Sequence, residues 1–362
     1  MDYNSIRRKT RTVKVGALSI GGSSKIAVQS MTNTDPHDTE KTYRQVFELE
    51  NAGCDIVRLT APDEESARIF RILKQRGIKV PLVADVHFNY RIAIAAVEAG
   101  ADKLRINPGN IGSADKVREV VRACRERKIP IRIGVNSGSL EEGILRKYGS
   151  PTPEALAESA LYHEALVREL DFHDTVISIK SSNVYNMISA NRILAKKTDT
   201  PLHLGVTEAG AGHSAIIKSS IGVGTLLAEG IGDTLRVSLT ANPVDEVRAA
   251  REILSTLSLC EGGLDIISCP TCGRTKIDLI SLYESFRAAS VKEGIDKLNI
   301  KVALMGCAVN GPGEAREADI GIAAGVGEAL LFKEGKVVGK IPEREIVNTL
   351  IKEIKNMAHG GR

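Results

Sequence analysis

Ala101-Asp102-Lys103-Leu104-Arg105-Ile106-Asn107, the segment Ser113 to Lys128, and Pro130-Ile131-Arg132-Ile133-Gly134-Val135-Asn136 decide the fold. The outer pieces are short aliphatic runs. The middle piece sets Val117, Val120, Val121 and Cys124 on one face at helical spacing. Strand, helix, strand is a βαβ unit, whose two strands lie parallel. The same sentence repeats from residue 26 to about residue 259. Its other strand runs are Ile26 to Ser30, Asp55 to Thr60, Val80 to Asp85, Thr175 to Lys180, Pro201 to Thr207 and Thr234 to Ser238. Gly53, Gly77, Gly100 and Gly232 fall where helices end, and Thr39, Asp63, Ser113 and Thr152 fall near helix starts. Eight β–α units over about 230 residues is the size of a TIM (β/α)8 barrel. A doubly wound open sheet is the alternative, but the first turn has no G-x-G-x-x-G.

A second domain is expected from the joint Cys260-Glu261-Gly262-Gly263, giving residues 1–259 and 260–362. The later segment reads as a helix around Ile277 to Ala289, strands at Ile300 to Leu304 and Ile320 to Ala324, a hairpin through Lys333 to Lys336, and an end helix near Glu343 to Met357. This order is α+β.

Several barrel strands share the pattern apolar, cation, apolar, small polar. It appears as Val57-Arg58-Leu59-Thr60, Leu104-Arg105-Ile106-Asn107, Ile131-Arg132-Ile133-Gly134, Ile179-Lys180-Ser181 and Leu235-Arg236-Val237-Ser238. Strand side chains alternate faces, so apolar neighbours under the helices turn each cation into the barrel. That lies near the strand's C-terminal end, where such barrels build active sites. Five converging cations imply an anionic guest, most simply one with two phosphate groups, which suit the guanidinium fork. The plainer reading pairs each arginine with an internal carboxylate such as Asp85 or Glu208, but the acids are too few for the set. Asp85, His87, Asn107, Asn110, Asn136 and Glu208 stand on the same expected rim. A carboxylate there is a general acid or base, or a partner for a hydroxyl.

Cys269-Pro270-Thr271-Cys272 and, much later, Met305-Gly306-Cys307 supply three thiols, with Glu314 seven residues beyond the last. Thiolates select Zn²⁺, Cu(I) or iron–sulfur clusters, and a structural zinc site is normally closed by four ligands. Three cysteines and a carboxylate suggest a cluster iron that a substrate oxygen can reach. Cys54, Cys124 and Cys260 read as buried or incidental, although Cys260 is near enough to compete with Glu314.

The net charge of +4 and the absence of Trp argue against a nucleic-acid surface. Arg7, Arg8, Lys9 and Arg11 are not followed by an apolar stretch, so no secretory signal is expected. With no bilayer-length apolar run, the expected setting is the reducing cytoplasm, where six cysteines are ligands or small hydrophobes.

The chain resembles the 4-hydroxy-3-methylbut-2-en-1-yl diphosphate synthase family almost end to end. The resemblance is carried by Val28 to Asn33, Leu104 to Asn110, Glu229 to Thr234, Arg236 to Leu239, Cys269 to Arg274 and Met305 to Glu314. The length matches the bacterial two-domain form without the central domain of plant relatives. Lys25 stands where a proline is expected. The resemblance implies a [4Fe–4S] cluster on Cys269, Cys272, Cys307 and Glu314, and 2-C-methyl-D-erythritol 2,4-cyclodiphosphate as substrate. It implies two electrons from reduced flavodoxin or ferredoxin, and a homodimer in which one subunit's cluster domain caps the other's barrel. Arg58, Asp85, Arg105, Asn107, Arg132, Asn136, Lys180, Glu208, Arg236 and Ser238 would line the substrate, with Glu208 and Glu314 closest to the chemistry. Two rival readings are a zinc-dependent or metal-free barrel enzyme acting on a phosphorylated or pterin substrate, and an electron carrier with no enzymatic role.

Overall fold

A short antiparallel hairpin, β1 (Val13–Val15) and β2 (Leu18–Ile20), precedes the parallel strands. The computed structural model describes residues 3–260 and 263–360, so Glu261 and Gly262 of the expected joint lie outside the described residues. The chain divides into two units, Met1–Leu259 and Cys260–Arg362.

In the first unit the parallel strands are β3 (Ala27–Met31), β4 (Ile56–Thr60), β5 (Leu82–Asp85), β6 (Lys103–Ile106), β7 (Ile131–Asn136), β8 (Thr175–Lys180), β9 (His203–Leu204) and β10 (Thr234–Leu235). Their order is β8-β7-β6-β5-β4-β3-β10-β9, and a parallel bridge between Ile177 and Leu202 joins the two ends into a barrel. β9 and β10 are two residues each, shorter than the runs read from the sequence. Beyond them single bonds continue, such as Arg236 N–H to Leu204 O at 2.9 Å. A side chain at Gly205 would put its Cβ 2.7 Å from the Arg236 carbonyl oxygen, so this close crossing of two backbones requires glycine.

Helices cover the barrel because their apolar faces match the strands. Helix Ala114–Arg127 buries Val117, Val120, Val121 and Cys124, the face read from the sequence. The caps differ in detail. Asp38, not Thr39, caps the helix Thr39–Asn51 by accepting from Lys41 N–H, and Ser113 makes no side-chain cap bond. Thr152 does cap its helix, accepting from Ala155 N–H at 3.2 Å. The hairpin residues Val15 and Ile20 pack against Ala27, Ile56 and Val83, the inward residues at the N-terminal ends of three strands. The N-terminal basic run is tied down beside them. Arg7 reaches Asp233 at 3.1 Å, and Arg11 reaches Glu164 at 3.3 Å. The arm thus helps to seal the face of the barrel opposite the strands' C-terminal ends.

The second unit is a five-stranded sheet in the order β11 (Leu264–Ser268), β12 (Ile300–Met305), β13 (Ile320–Ala324), β14 (Glu328–Lys333), β15 (Lys336–Pro342). β11, β12 and β13 run parallel, and β13 to β15 run antiparallel. One face buries Val302, Leu304, Ile320 and Ile322 against Phe286 of helix Leu279–Lys292 and Leu350 and Ile354 of helix Ile346–Gly360. The other face is shallower: Ala303, Met305, Ala323 and Phe332 pack with Ala315 of the short helix Gly311–Arg316. β11, between the joint and the first cysteine pair, has no counterpart among the strands read from the sequence.

Candidate active site

The barrel strands bring the five cations together. Asp85 lies 3.1 Å from Arg105 Nη1 and 3.8 Å from Arg58 Nε. Burial pushes the Asp85 carboxyl up, but the Arg58 and Arg105 charges outweigh it and hold the group at about 2. Arg58 also donates to Met31 Sδ, from Nε at 3.0 Å and Nη2 at 2.7 Å. Burial lowers the Arg58 guanidinium to about 10 despite Asp85.

Arg236 is held differently. Its Nε and Nη2 grip the two oxygens of Glu246 at 3.0 and 2.8 Å. Glu246 comes from helix Pro243–Thr256 and also accepts from Ser30 Oγ at 2.8 Å. This partner escaped the sequence reading, because a glutamate on a helix reads as solvated surface. Three of the five cations therefore have carboxylate partners, more than the sequence predicts.

Arg132 and Lys180 do not. Arg132 is 1% exposed, and among the described residues its one hydrogen bond runs from Nη1 to Ser178 Oγ at 3.4 Å. Among the described residues its Nε and Nη2 have no acceptor. Lys180 is buried and makes no hydrogen bond or ion pair with the described residues. Burial and the Arg236, Arg58 and Arg132 charges press its amine well below the ordinary value. Two glycines leave room for Arg105 and Lys180. A Cβ at Gly134 would lie 2.5 Å from Arg105 Nε, and one at Gly205 would lie 3.1 Å from Lys180 Nζ.

The rim carries the neutral partners. Asn107 is buried at the end of β6, and Asn136 ends β7 with its amide oxygen placed to accept from Arg105 Nη2 at 3.2 Å. Ser238 is half-buried past β10. His87 Nε2 meets Arg105 Nη1 at 2.5 Å; partial burial, opposed by Asp85 and reinforced by Arg105 and Arg58, lowers its imidazole. Glu208 is exposed and pairs with none of the cations, so it is not the internal counter-charge the plainer reading allowed. Its backbone is left-handed, φ 53°, as is that of Phe88 beside His87, φ 62°. Non-glycine residues in this region cost energy and gather where a loop's shape serves a site.

The second unit builds a different cavity. Cys269 directly follows β11, Cys307 follows β12, and Glu314 rides the short helix Gly311–Arg316. A cavity of about 440 Å³ is lined by Cys269, Cys272, Cys307 and Glu314 together with Arg274 and Asn310. Cys260 does not line it. Cys269 Sγ lies 3.5 Å from the Gly306 N–H, and Thr271, between the first two cysteines, is left-handed with φ 63°. Backbone N–H groups of Val309, Asn310 and Gly311 hold the Cys307 thiol below its ordinary value, which favours the ligating thiolate. Among the described residues no three His, Cys, Asp or Glu side chains converge on a point as a single ion requires. The four donors instead stand around one cavity. Cys54 and Cys124 are buried elsewhere, and burial pushes both thiols up to about 12, as inert structural cysteines require.

Fold and sites together define a (β/α)8 barrel protein with a cationic mouth, joined to an α+β unit with a cysteine-lined cavity. A sequence model of the GcpE TIM-barrel domain matches residues 10–251, and one of the GcpE protein C-terminal domain matches residues 265–356. The chain belongs to the GcpE family. A protein of Clostridium perfringens is 56% identical over 353 residues, covering 97% of this chain and 99% of its own. One from Bacillus subtilis is 53% identical over 354 residues, covering 97% and 92%. Both are named 4-hydroxy-3-methylbut-2-en-1-yl diphosphate synthase (flavodoxin), the family that the sequence motifs resemble. Among solved structures, N-acetylneuraminic acid synthetase from Leptospira borgpetersenii aligns with a TM-score of 0.50 at 12% identity. It covers 78% of this chain and 98% of its own, a likeness of fold alone.

Proposed function

We propose that this chain converts 2-C-methyl-D-erythritol 2,4-cyclodiphosphate to 4-hydroxy-3-methylbut-2-en-1-yl diphosphate. The reaction takes up two electrons and two protons, opens the ring and releases water. The observation that carries the reading is the unspent donor capacity of Arg132 and Lys180, buried at a barrel mouth where Arg58, Arg105 and Arg236 are already paired with Asp85 and Glu246. A structure that keeps such groups out of water without partners is organised for an anion.

Arg105, Arg132, Lys180 and Arg236 hold phosphate oxygens in this reading, with Arg58 close by. Asp85 orients Arg58 and Arg105 from below. Asn107, Asn136 and Ser238 give neutral hydrogen bonds, and Glu208 reaches in from the rim to a substrate hydroxyl or moves a proton there. Cys269, Cys272, Cys307 and Glu314 fit a [4Fe–4S] cluster, and their cavity supports that assignment. Such a cluster, when bound, supplies electrons singly and an oxygen-seeking iron. Reduced flavodoxin, or ferredoxin, is the donor. Ligation by thiolates suits a reducing cytoplasmic setting.

We also propose a homodimer in which the barrel of one chain works with the cluster ligands of the other. Helix Pro243–Thr256 follows β10 and runs back antiparallel to it, so the barrel hands over the chain on the face away from the mouth. The joint of residues 260–263 is short for a return journey. Mixing Glu314→Ala with Lys180→Ala chains tests this. Shared sites regain activity in verified heterodimers, and sites within single chains regain none.

The decisive experiment on the function is anaerobic. Purified protein should hold iron and sulfide, absorb in the visible range, and form the linear diphosphate with reduced flavodoxin. Zinc with no visible absorption would replace this reading with a hydrolytic or transferase barrel. An iron–sulfur protein that fails to bind the cyclic diphosphate would be an electron carrier.

A further inference from the structure

Around Arg132 and beneath the other mouth cations lies a group of inward polar residues. It consists of Gln29 on β3, Lys103 on β6, Arg132 on β7 and His203 on β9, none more than 1% exposed. Each carries atoms with no hydrogen-bond partner among the described residues: both side-chain polar atoms of Gln29, Lys103 Nζ, Arg132 Nε and Nη2, and His203 Nε2. Lys103 sits two residues below Arg105 on the same strand face, and the β6–β7 register sets Arg105 opposite Arg132. An ammonium has three donors and no acceptor capacity. Lys103 would be a wholly buried ammonium with nothing to donate to.

The charges around it make this worse. Those acting on Lys103 are Arg132 and Arg58, both repulsive, and with burial they drive its amine well below the ordinary value. The wider interior adds Arg105 above it, Lys180 from β8, Arg236 from β10, and His203, which itself feels Arg132, Lys180 and Lys103. Against these stand Asp85, shared by Arg58 and Arg105, and Glu246, gripped by Arg236; His87 is at the rim. Arginines keep their protons in proteins, so the crowding is relieved at the lysines and His203.

We propose that Lys103 is a charge-balancing positioning residue. Its amine is neutral in the empty barrel and takes up a proton from solvent when the anionic substrate settles on the cations above. The inference rests on the cyclic diphosphate reading. In that ring each phosphorus carries one ionised oxygen of strong-acid character, so the substrate brings two negative charges and does not itself titrate near neutrality. Those charges act across the low-dielectric interior against the burial cost of the ammonium as well as the repulsion from Arg132 and Arg58, and the ammonium becomes the favoured form. The balance is simple: a buffer acid gives one proton, and Lys103 Nζ gains it.

Calorimetry of the cluster-loaded protein with the cyclic diphosphate, without reductant and in buffers of different ionisation enthalpy, reads the protons taken up. Near pH 7.5 the wild type should gain about one proton more than Lys103→Met, and its affinity should fall up to about tenfold per pH unit on the alkaline side. Lys103→Met should bind with a slope shallower by that one proton and melt no lower than wild type. Lys103→Gln serves as a second neutral variant should the Met variant fail to fold. Equal uptake in wild type and variants places the proton elsewhere, on Lys180 or His203, and overturns the inference. Binding with no uptake, weakened by added chloride, shows a small anion balancing the group and also overturns it. No binding by any form, wild type included, instead sinks the functional reading on which the inference rests.

Discussion

The barrel mouth and the cysteine cavity obey one rule by different means. Both stand at the carboxyl ends of parallel strands, the mouth around β3 to β10 and the cavity beyond β11 and β12. In the barrel the groups come from within the strands and are fixed by register, neighbouring glycines and buried carboxylates. In the second unit the three cysteines come from loops just past the strands, and Glu314 from the short helix Gly311–Arg316. A site that grips a charged guest by fixed geometry suits a closed ladder. A site whose donors would wrap a cluster, as proposed, suits loops whose shape the bound group completes.

The sharpest way to break this comparison is to remove a loop donor. Cys269→Ser, Cys272→Ser or Cys307→Ser should each lose iron, visible absorption and turnover, while Cys260→Ser keeps all three. The barrel's far-UV spectrum and its binding of the cyclic diphosphate should survive in every case. A full iron complement in any of the first three variants would show that the cavity is not the cluster site.

Strand cations come next. Arg132→Ala or Lys180→Ala removes a charge-assisted contact worth about 1.5–3 kcal/mol, so affinity should fall about ten- to a hundredfold. Two of the three Arg132 guanidinium nitrogens lack acceptors among the described residues, so Arg132→Met should stabilise the free protein by on the order of 1–3 kcal/mol and raise its melting temperature. Binding lost while stability is gained separates a held guest from a structural ion pair. Unchanged affinity in both alanine variants means the cations do not face the substrate.

Gly205→Ala tests close approach. Its Cβ would press on the Arg236 carbonyl at 2.7 Å and on Lys180 Nζ at 3.1 Å. Overpacking of this kind costs roughly 1–3 kcal/mol, and affinity should fall with stability. A variant as stable and as tight as wild type would show that the β9–β10 crossing is looser than its geometry implies.

The smallest effect at working pH belongs to Asp85. Its carboxyl is lowered from 3.8 to about 2, so its contribution is fully present above the unfolded value near 4. That contribution is lost as pH falls from about 4 through 2. Asp85→Asn should flatten the acid limb of the stability curve in that window, whereas the Cys307→Ser curve keeps it.

Much of this was legible because alternation in a buried strand leaves little choice. Once Leu104 and Ile106 pack under helices, Arg105 must face inward. The same parity condemns Lys103 to the interior, but it stands one step outside the repeated four-residue pattern and was passed over. Glu246 was illegible for a different reason: its helix has an ordinary amphipathic face, and only the barrel's curvature brings that turn to Arg236 and Ser30. The cysteine loops announced themselves through residue type and spacing, whereas β11, interrupted at its second residue by Asp265, lacks the apolar run that marks a strand. The short β9 and β10 could not be measured from propensity, because their ladders end where Gly205 meets a neighbouring backbone.

The seam of the barrel gives that shortness a meaning in time. β7 and β8 pair along six residues, but β8 meets β9 through the single bridge Ile177 to Leu202, and β9 meets β10 through two paired positions. Fewer paired amides mean cheaper local opening, so deuterium should enter at residues 202–206 and 234–236 well before it enters β7. Lys180 and Arg236 stand on opposite banks of this gap. An anion that touches both is a stitch across it, and exchange at the seam should slow on binding far more than anywhere else in the barrel.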